Sequence, residues 1–216
     1  PVSDEGFYFK LDWLKYYTEK PKYLRLYATS DYATKDKAGD YTVHIIFGID
    51  PNDDIYVLDL WRQQADSATW VEQARDWMAK FKPVARGEEK GQIMGGVGPF
   101  LAKRMRERKV FCVRQQFAST RDKQTRAQSI AGRMQQGKFY IPANAPWRGD
   151  LEWELSRFPD GTYDDQVDVC SLIGKMLDTM GRGTAPKPEP KVEPRKVAGY
   201  SFNDLMGMAK RRSQGK

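Results

Sequence analysis

The sequence predicts an α/β fold in which a mixed sheet of five or more strands is flanked by helices. Three β-rich segments follow one another early in the chain, helical and strand patterns alternate after them, and turn residues separate most of these segments. Of the 216 residues, 40% are hydrophobic, which is enough for one domain with a sizeable core. We therefore expect antiparallel strands first and parallel strands later in one sheet.

The first predicted elements are three consecutive antiparallel strands. Residues 23–30, 41–48 and 55–61 are rich in β-branched and aromatic side chains. Gly39-Asp40 and residues 51–54 lie between them and are typical of turns. Short connections of this kind favour antiparallel neighbours.

Helices and short strands are predicted to alternate after these strands. In residues 66–80, Val71, Ala74 and Met78 recur at helical spacing, and a short strand restarts at 83–85. The remaining predicted elements are a helix at 100–108, a strand at 110–113, and helices at 122–135, 149–157 and 163–180. This order is typical of parallel strands joined through helices.

The composition changes at both ends of the predicted domain, which we place at residues 23–180. Residues 1–22 are rich in aromatic side chains and are interpreted as a lead segment from a preceding domain. Residues 181–216 begin with a Pro-rich run that is typical of a disordered linker. After it, the segment 201–212 is predicted to form a short basic tail helix.

The charge and the rare residue types limit the possible functions. A net charge of +7 and a pI near 9.3 indicate a polyanionic partner such as a nucleic acid. His44 is the only histidine, so zinc clusters and Ser-His-Asp triads have little to be built from. No apolar run approaches about 18 residues, so no membrane partner is expected.

Acidic residues at the ends of predicted strands are the first candidates for chemistry. Asp31 follows an apolar strand, where a carboxylate is costly unless it is paired or binds a cation. Glu88 and Glu89 follow the strand at 83–85, and adjacent like charges repel unless a cation or base lies between them. A turn role for Asp31 and a salt bridge from Lys90 remain the alternatives.

A second acidic group lies at the start of the last predicted helix. Asp164, Asp165 and Asp168 follow the turn at 158–163. The helix dipole favours acids at this end, but capping explains only one or two of them. A rotation of about 100° per residue places Asp165 nearest the apolar face, Asp168 at its edge and Asp164 farther round.

Short motifs spread over residues 7–180 carry a family resemblance. They include Phe9-Lys10, Asp31-Tyr32-Ala33, Glu88-Glu89-Lys90-Gly91, Asp122-Lys123, Ile141-Pro142 and the block from Phe158 to Asp168. In this order they resemble the C-terminal nuclease region of the large subunits of phage terminases. The resemblance implies an RNase H-like fold, an acidic cluster that depends on Mg²⁺ or Mn²⁺, and cleavage of concatemeric viral DNA during genome packaging.

The resemblance also implies a cellular setting. The partners would be double-stranded DNA, the portal protein, the small terminase subunit and an N-terminal ATPase domain in the parent chain. The protein would work in the host cytoplasm and bind transiently to the viral procapsid.

Two metal ions roughly 3.5–4 Å apart would activate water and stabilise the leaving oxygen in such a nuclease. Asp31 is expected to bridge both ions, Glu88 to complete one side from the adjacent parallel strand, and Asp165 to join them from the helix. These three residues are the predicted catalytic set, Asp164 is a further metal ligand, and Asp168 supports the site from outside the ligand set.

One departure from the family pattern leaves the second carboxylate open. Gly87 stands where the family usually has a bulky apolar residue before the acid at the strand end. Glu88 is preferred, and Glu89 remains the alternative. Lys123 and Arg126, which belong to the family motifs, are the predicted DNA-binding residues and would contact phosphates without reading sequence.

The same residues are compatible with three other functions. A restriction-type nuclease could combine Glu88 and Lys90 with Asp59, although the acids of 158–168 would then have no role. An RNase H-like recombinase or resolvase would share the metal cluster. A basic DNA-binding module without catalysis would use its acids only for caps and salt bridges.

Overall fold

The computed structural model describes residues 8–33, 41–90, 92–118 and 122–180, with only the backbone described at 92–95 and 97. Within these ranges, seven strands form one sheet. They are β1 (Lys15–Tyr17), β2 (Arg25–Asp31), β3 (Thr42–Ile49), β4 (Ile55–Gln63), β5 (Ala85–Lys90), β6 (Val113–Ala118) and β7 (Phe139–Pro142). Their order across the sheet is β1-β7-β4-β3-β2-β5-β6.

The described residues also form five α-helices. They are α1 (Ser67–Phe81), α2 (Gln92–Glu107), α3 (Lys123–Gln135), α4 (Arg148–Arg157) and α5 (Asp165–Thr179). Asp66 and Asp122 begin α1 and α3, because each side chain accepts a hydrogen bond from a backbone N–H of the first turn. None of the helices that the structure describes is long and apolar enough to span a lipid bilayer.

The sheet combines antiparallel and parallel pairs in the predicted order. Strands β2, β3 and β4 are consecutive antiparallel neighbours. Strand β5 pairs with β2 in parallel, and β6 pairs with β5 in parallel. The predicted α/β fold with a mixed sheet is therefore confirmed. Because β2 and β5 are parallel, their carboxyl ends meet at one edge of the sheet.

Both faces of the central strands are covered. The main core lies between the sheet and the helices α3, α4 and α5, and it includes Ile45, Phe47 and Ile173. A smaller core, which includes Trp70 and Leu101, joins the opposite face to α1 and α2. Every residue of β3 is buried, as expected for a strand that is packed on both faces.

Helix α5 approaches the sheet closely at β5. An ideal Cβ built on Gly87 would lie 2.5 Å from the Sδ atom of Met176 and 3.3 Å from Cε2 of Phe117. Gly87 therefore leaves room for the Met176 side chain between strand and helix.

Several boundaries differ from the sequence prediction. Strands β5 and β6 end five residues later than the predicted segments 83–85 and 110–113, and α2 begins eight residues before the predicted 100–108. Strands β1 and β7 were not predicted, because three or four residues are too short to display a period.

The described part of the amino-terminal segment also differs from the expected domain bound. Phe9 and Leu14 are buried in the main core, and β1 pairs with β7. The described part of the expected lead segment, residues 8–22, therefore belongs to this domain. The expected linker and basic helix of 181–216 lie outside the described residues.

Candidate active site

Two acids from neighbouring strands lie side by side at the carboxyl edge of the sheet. Asp31 is the last residue of β2, as predicted. Ser30 pairs with Glu88 in the parallel β2/β5 ladder, so Asp31 and Glu89 occupy the next level. Residues at one level of paired strands point to the same face, which here is the face covered by α5. Strand register thus brings Asp31 and Glu89 together.

Helix α5 adds a third acid to the same place. Asp31, Glu89 and Asp168 line one small cavity together with Arg126 and Lys175. Asp168 lies one turn into α5, where its side chain faces the strand ends. This residue was expected outside the ligand set, and the structure instead places it in the cluster itself.

The pKa values show how crowded these carboxylates are. Burial, followed by the charges of Asp168, Glu89 and Asp165, raises the pKa of Asp31 well above its usual range. Burial also raises the pKa of Asp168 to about 7, and Asp164 and Glu89 add to this against the opposing charge of Arg126. The pKa of Asp165 rises to about 6, again mainly through burial and then through Glu154. Each acid would be easier to ionise with a cation beside it.

Two basic side chains balance part of this negative charge. Arg126 Nη2 lies 3.1 Å from Asp168 Oδ1, and its Nη1 lies 3.6 Å from Glu89 Oε1. Lys123 forms an ion pair with Asp164. The two residues predicted to bind DNA therefore lie directly at the acidic cluster, where they are paired with its carboxylates.

The chemistry of the cluster fits a hard divalent cation. Its donors are carboxylate oxygens, which suit Mg²⁺ or Mn²⁺ rather than zinc. Oδ2 of Asp165 is buried and has no hydrogen-bond partner among the described residues. In the described ranges, no three acidic, His or Cys side chains are already grouped as the ligands of one ion. Since Arg126 contacts both Glu89 and Asp168, its movement would free two carboxylates for binding.

Glu88, the preferred second carboxylate, lies on the opposite face of the sheet. It is 0% exposed. Its Oε2 accepts hydrogen bonds from Arg114 at 2.7 and 3.0 Å, and its Oε1 accepts one from the Tyr32 hydroxyl at 2.7 Å. Arg86 Nε lies 3.2 Å from Oε1. The prediction of Glu88 as a metal ligand disagrees with this arrangement, because β5 continues to Lys90 and its side chains alternate between the faces.

The surroundings of Glu88 form a buried polar network behind the cluster. His44 Nδ1 lies 2.8 Å from Ser30 Oγ, and its Nε2 lies 3.1 Å from the Trp70 carbonyl oxygen. Burial and the charge of Arg86 lower the pKa of His44 well below its usual range. The single histidine of the sequence is therefore a neutral structural residue, as its mid-strand position indicates.

The other two predicted helix acids have different surroundings. Asp165 is the first residue of α5 and accepts a hydrogen bond from the Tyr41 backbone. Asp165 is near enough to Asp31 for its charge to raise the pKa of Asp31. Asp164 precedes the helix and pairs with Lys123. Asp165 thus fits the predicted ligand set better than Asp164 does.

The structure does not bring together the residues expected for a restriction-type nuclease, Asp59, Glu88 and Lys90. Asp59 lies on β4, which β3 and β2 separate from β5. Its Oδ2 lies 4.0 Å from Lys80 Nζ. Asp59 is therefore remote from both Glu88 and Lys90.

One residue at the site was not predicted from the sequence. Glu154 of α4 is 1% exposed, and its carboxylate accepts hydrogen bonds from the start of α5. A signal was available, since Leu151, Glu154, Leu155 and Phe158 follow the spacing of a buried helix face. A glutamate on such a face needs a partner.

Comparisons with known proteins agree with this fold. The family model described as the terminase RNaseH-like domain matches residues 28–177. No curated sequence relative matches the chain. Similar solved structures include the large terminase nuclease of thermophilic phage G20c with bound zinc, with 16% identity and a TM-score of 0.53 over 75% of this chain and 93% of that one.

Longer terminases are also similar in fold. The large terminase of another thermophilic bacteriophage, solved in complex with ADP, has 11% identity and a TM-score of 0.54 over 79% of this chain and 44% of that one. The HK97 bacteriophage large terminase has 11% identity and a TM-score of 0.52 over 74% and 41%. The RNase H-like fold implied by the motifs is therefore confirmed. The chain belongs to the family of terminase RNase H-like domains.

Proposed function

We propose that the chain is a metal-dependent endonuclease that cleaves concatemeric double-stranded viral DNA during genome packaging. The observation that carries the proposal is the convergence of Asp31, Glu89 and Asp168 at one edge of the sheet. Burial and then like charges raise the pKa values of Asp31 and Asp168, and a cation would relieve the repulsion.

The proposed ligands are Asp31, Glu89, Asp165 and Asp168. When bound there, two Mg²⁺ or Mn²⁺ ions would activate a water molecule and stabilise the leaving oxygen of the phosphodiester. The G20c nuclease has been solved with bound zinc, magnesium and cobalt, which supports a divalent metal in this family. Glu89 replaces Glu88 in this set, because only Glu89 shares the face of Asp31.

The basic residues have a second role in this proposal. Arg126 and Lys123 pair with Asp168, Glu89 and Asp164 in the present arrangement. With metal ions bound to the acids, both side chains would be free to contact phosphates of the DNA backbone next to the cluster. Such contacts position the duplex without reading its sequence.

The proposal includes a place in a larger assembly. This chain covers 44% of the ADP-bound large terminase and 41% of the HK97 large terminase. We propose that the parent chain carries an N-terminal ATPase domain and works with the portal protein and the small terminase subunit. Its site of action would be the host cytoplasm, with transient binding at the procapsid.

A plasmid-nicking assay tests the proposal. The unsubstituted chain should nick supercoiled DNA in Mn²⁺ or Mg²⁺ and should lose this activity in EDTA. Asp31→Asn should abolish nicking. Asp59→Asn, a matched change on β4 outside the cluster, should retain it.

Three outcomes would contradict the proposal. Cleavage that persists in EDTA would exclude a metal-dependent site. Asp31→Asn that cuts as well as the unsubstituted chain would show that chemistry takes place elsewhere. DNA binding without any cleavage would identify the chain as a non-catalytic DNA-binding module.

A further inference from the structure

Helix α5 brings its acids to the cluster without using them to cap its own first turn. The first turn of a helix leaves backbone N–H groups without partners inside the helix, and an aspartate at the N-cap position usually accepts from one of them. Asp164 occupies this position, but its side chain makes no capping hydrogen bond. It forms an ion pair with Lys123 instead. The first turn of α5 therefore depends on another acceptor.

Glu154 of α4 is that acceptor. Its Oε1 accepts hydrogen bonds from the backbone N–H groups of Gln166 at 2.5 Å and Val167 at 3.2 Å. Its Oε2 accepts one from the Gln166 side chain at 2.8 Å. The negative charge also lies at the positive end of the α5 dipole. One side chain from a neighbouring helix thus binds the start of α5.

The position of this contact in the sequence links it to the acidic cluster. Gln166 and Val167 lie between Asp165 and Asp168 along α5. Holding the backbone at these two residues fixes the direction in which both acids leave the helix. Glu154 is 1% exposed and Arg62 lies 3.9 Å away, so the carboxylate has little freedom to move.

We propose that Glu154 is a positioning residue that caps α5 from α4 and holds Asp165 and Asp168 toward Asp31. Because Glu154 takes over the cap, the acids at the start of α5 stay available for metal. This inference rests on the proposed function, since it assumes that these acids bind metal. Residues that orient metal ligands typically contribute roughly 10–100-fold to metal affinity.

Titration calorimetry of the whole chain with Mn²⁺ alone tests the inference. Glu154→Gln should raise the Kd for Mn²⁺ about tenfold or more. It should also speed amide hydrogen exchange at Gln166 and Val167. The matched control is Glu152→Gln on the same helix, where Glu152 contacts Tyr16 and Arg148 at 2.9 and 3.2 Å. The control should leave the Kd unchanged.

An unchanged Kd in folded Glu154→Gln would overturn the inference. If this variant does not fold, Glu154→Asp takes its place, because it keeps the charge but withdraws the carboxylate from the backbone N–H groups of Gln166 and Val167. Loss of one of these capping hydrogen bonds should raise the Kd about fivefold, and an unchanged Kd would again overturn the inference. If the unsubstituted chain binds no Mn²⁺, both the proposed function and this inference are overturned. If the unsubstituted chain binds Mn²⁺ and the variant has the same Kd, only the inference is overturned.

Discussion

Glu88→Gln and Glu89→Gln make the same chemical change at neighbouring positions on opposite faces of β5. Glu88 is 0% exposed and contacts Arg86 at 3.2 Å and Arg114 at 2.7 Å. Glutamine there leaves the buried guanidinium of Arg86 without its carboxylate partner, and breaking a buried ion pair typically costs about 3–5 kcal/mol. Arg86 keeps hydrogen bonds to Ser30 and Tyr32. We therefore expect the free energy of unfolding to fall by about 3 kcal/mol, which lowers Tm by roughly 6–12 °C in a domain of this size.

Glu89→Gln should have the opposite profile. Glu89 has a 26% exposed side chain and lies 3.6 Å from Arg126, in an ion pair that contributes little. Its charge also repels Asp31. The free energy of unfolding should change by less than about 1 kcal/mol. Metal-dependent nicking should fall by at least about 100-fold, since a proposed ligand oxygen is lost, which is a larger change than loss of an orienting partner.

Thermal melts in EDTA and plasmid nicking in Mn²⁺, measured on both variants at a temperature where both are folded, separate these effects. Folded Glu88→Gln should retain nicking. The face assignment would be wrong if Glu88→Gln lost nicking at an unchanged Tm, or if Glu89→Gln cut DNA as well as the unsubstituted chain.

Three further changes test the site from other directions. Folding raises the pKa of Asp168 to about 7, so the metal-free chain should lose stability as pH rises from about 4 to about 7. Asp168→Asn should therefore have a higher Tm than the unsubstituted chain in EDTA at pH 8. The difference in Tm should shrink toward pH 4. Lys123→Ala should lower the salt slope of DNA binding by about one unit in fluorescence anisotropy, whereas Lys138→Ala, a control beside β7, should leave the slope unchanged. A chain that ends at Met180 should keep metal-dependent nicking, because all proposed ligands precede that residue; a folded truncation that does not nick would place part of the site in 181–216.

The sequence predicted where helices begin more accurately than it predicted which of the neighbouring acids, Glu88 or Glu89, lies in the cluster. Asp66 and Asp122 are strong start signals, and both precede a helix within one residue of its predicted start. The choice between Glu88 and Glu89 depends instead on where β5 ends and on its register with β2, which is far away in sequence. A strand predicted to end at residue 85 leaves both glutamates in a loop, where alternation between faces does not apply.

The place of the helix acids was also only partly predictable. Helical rotation correctly sets Asp165 and Asp168 toward the apolar side of α5, but it does not give the distance from the helix to the strand ends. That distance depends on packing between α5 and β5 and on the cap from Glu154. The residues next to Asp168 in the sequence indicate neither the packing between α5 and β5 nor the cap from Glu154. The position of Asp168 beside Asp31 could therefore not be predicted from the sequence.

Gly87 has a consequence for substitutions that occur together. A Cβ at this position would meet Met176 Sδ at 2.5 Å, so a larger residue on the strand and a long one on the helix exclude each other. A relative with a bulky residue at the position of Gly87 should carry a shorter side chain at the position of Met176, or hold its last helix farther from the sheet. Because β5 carries Glu89 and α5 carries Asp168, the side-chain volumes at positions 87 and 176 together set the distance between these two carboxylates. The residues at the two positions should therefore covary.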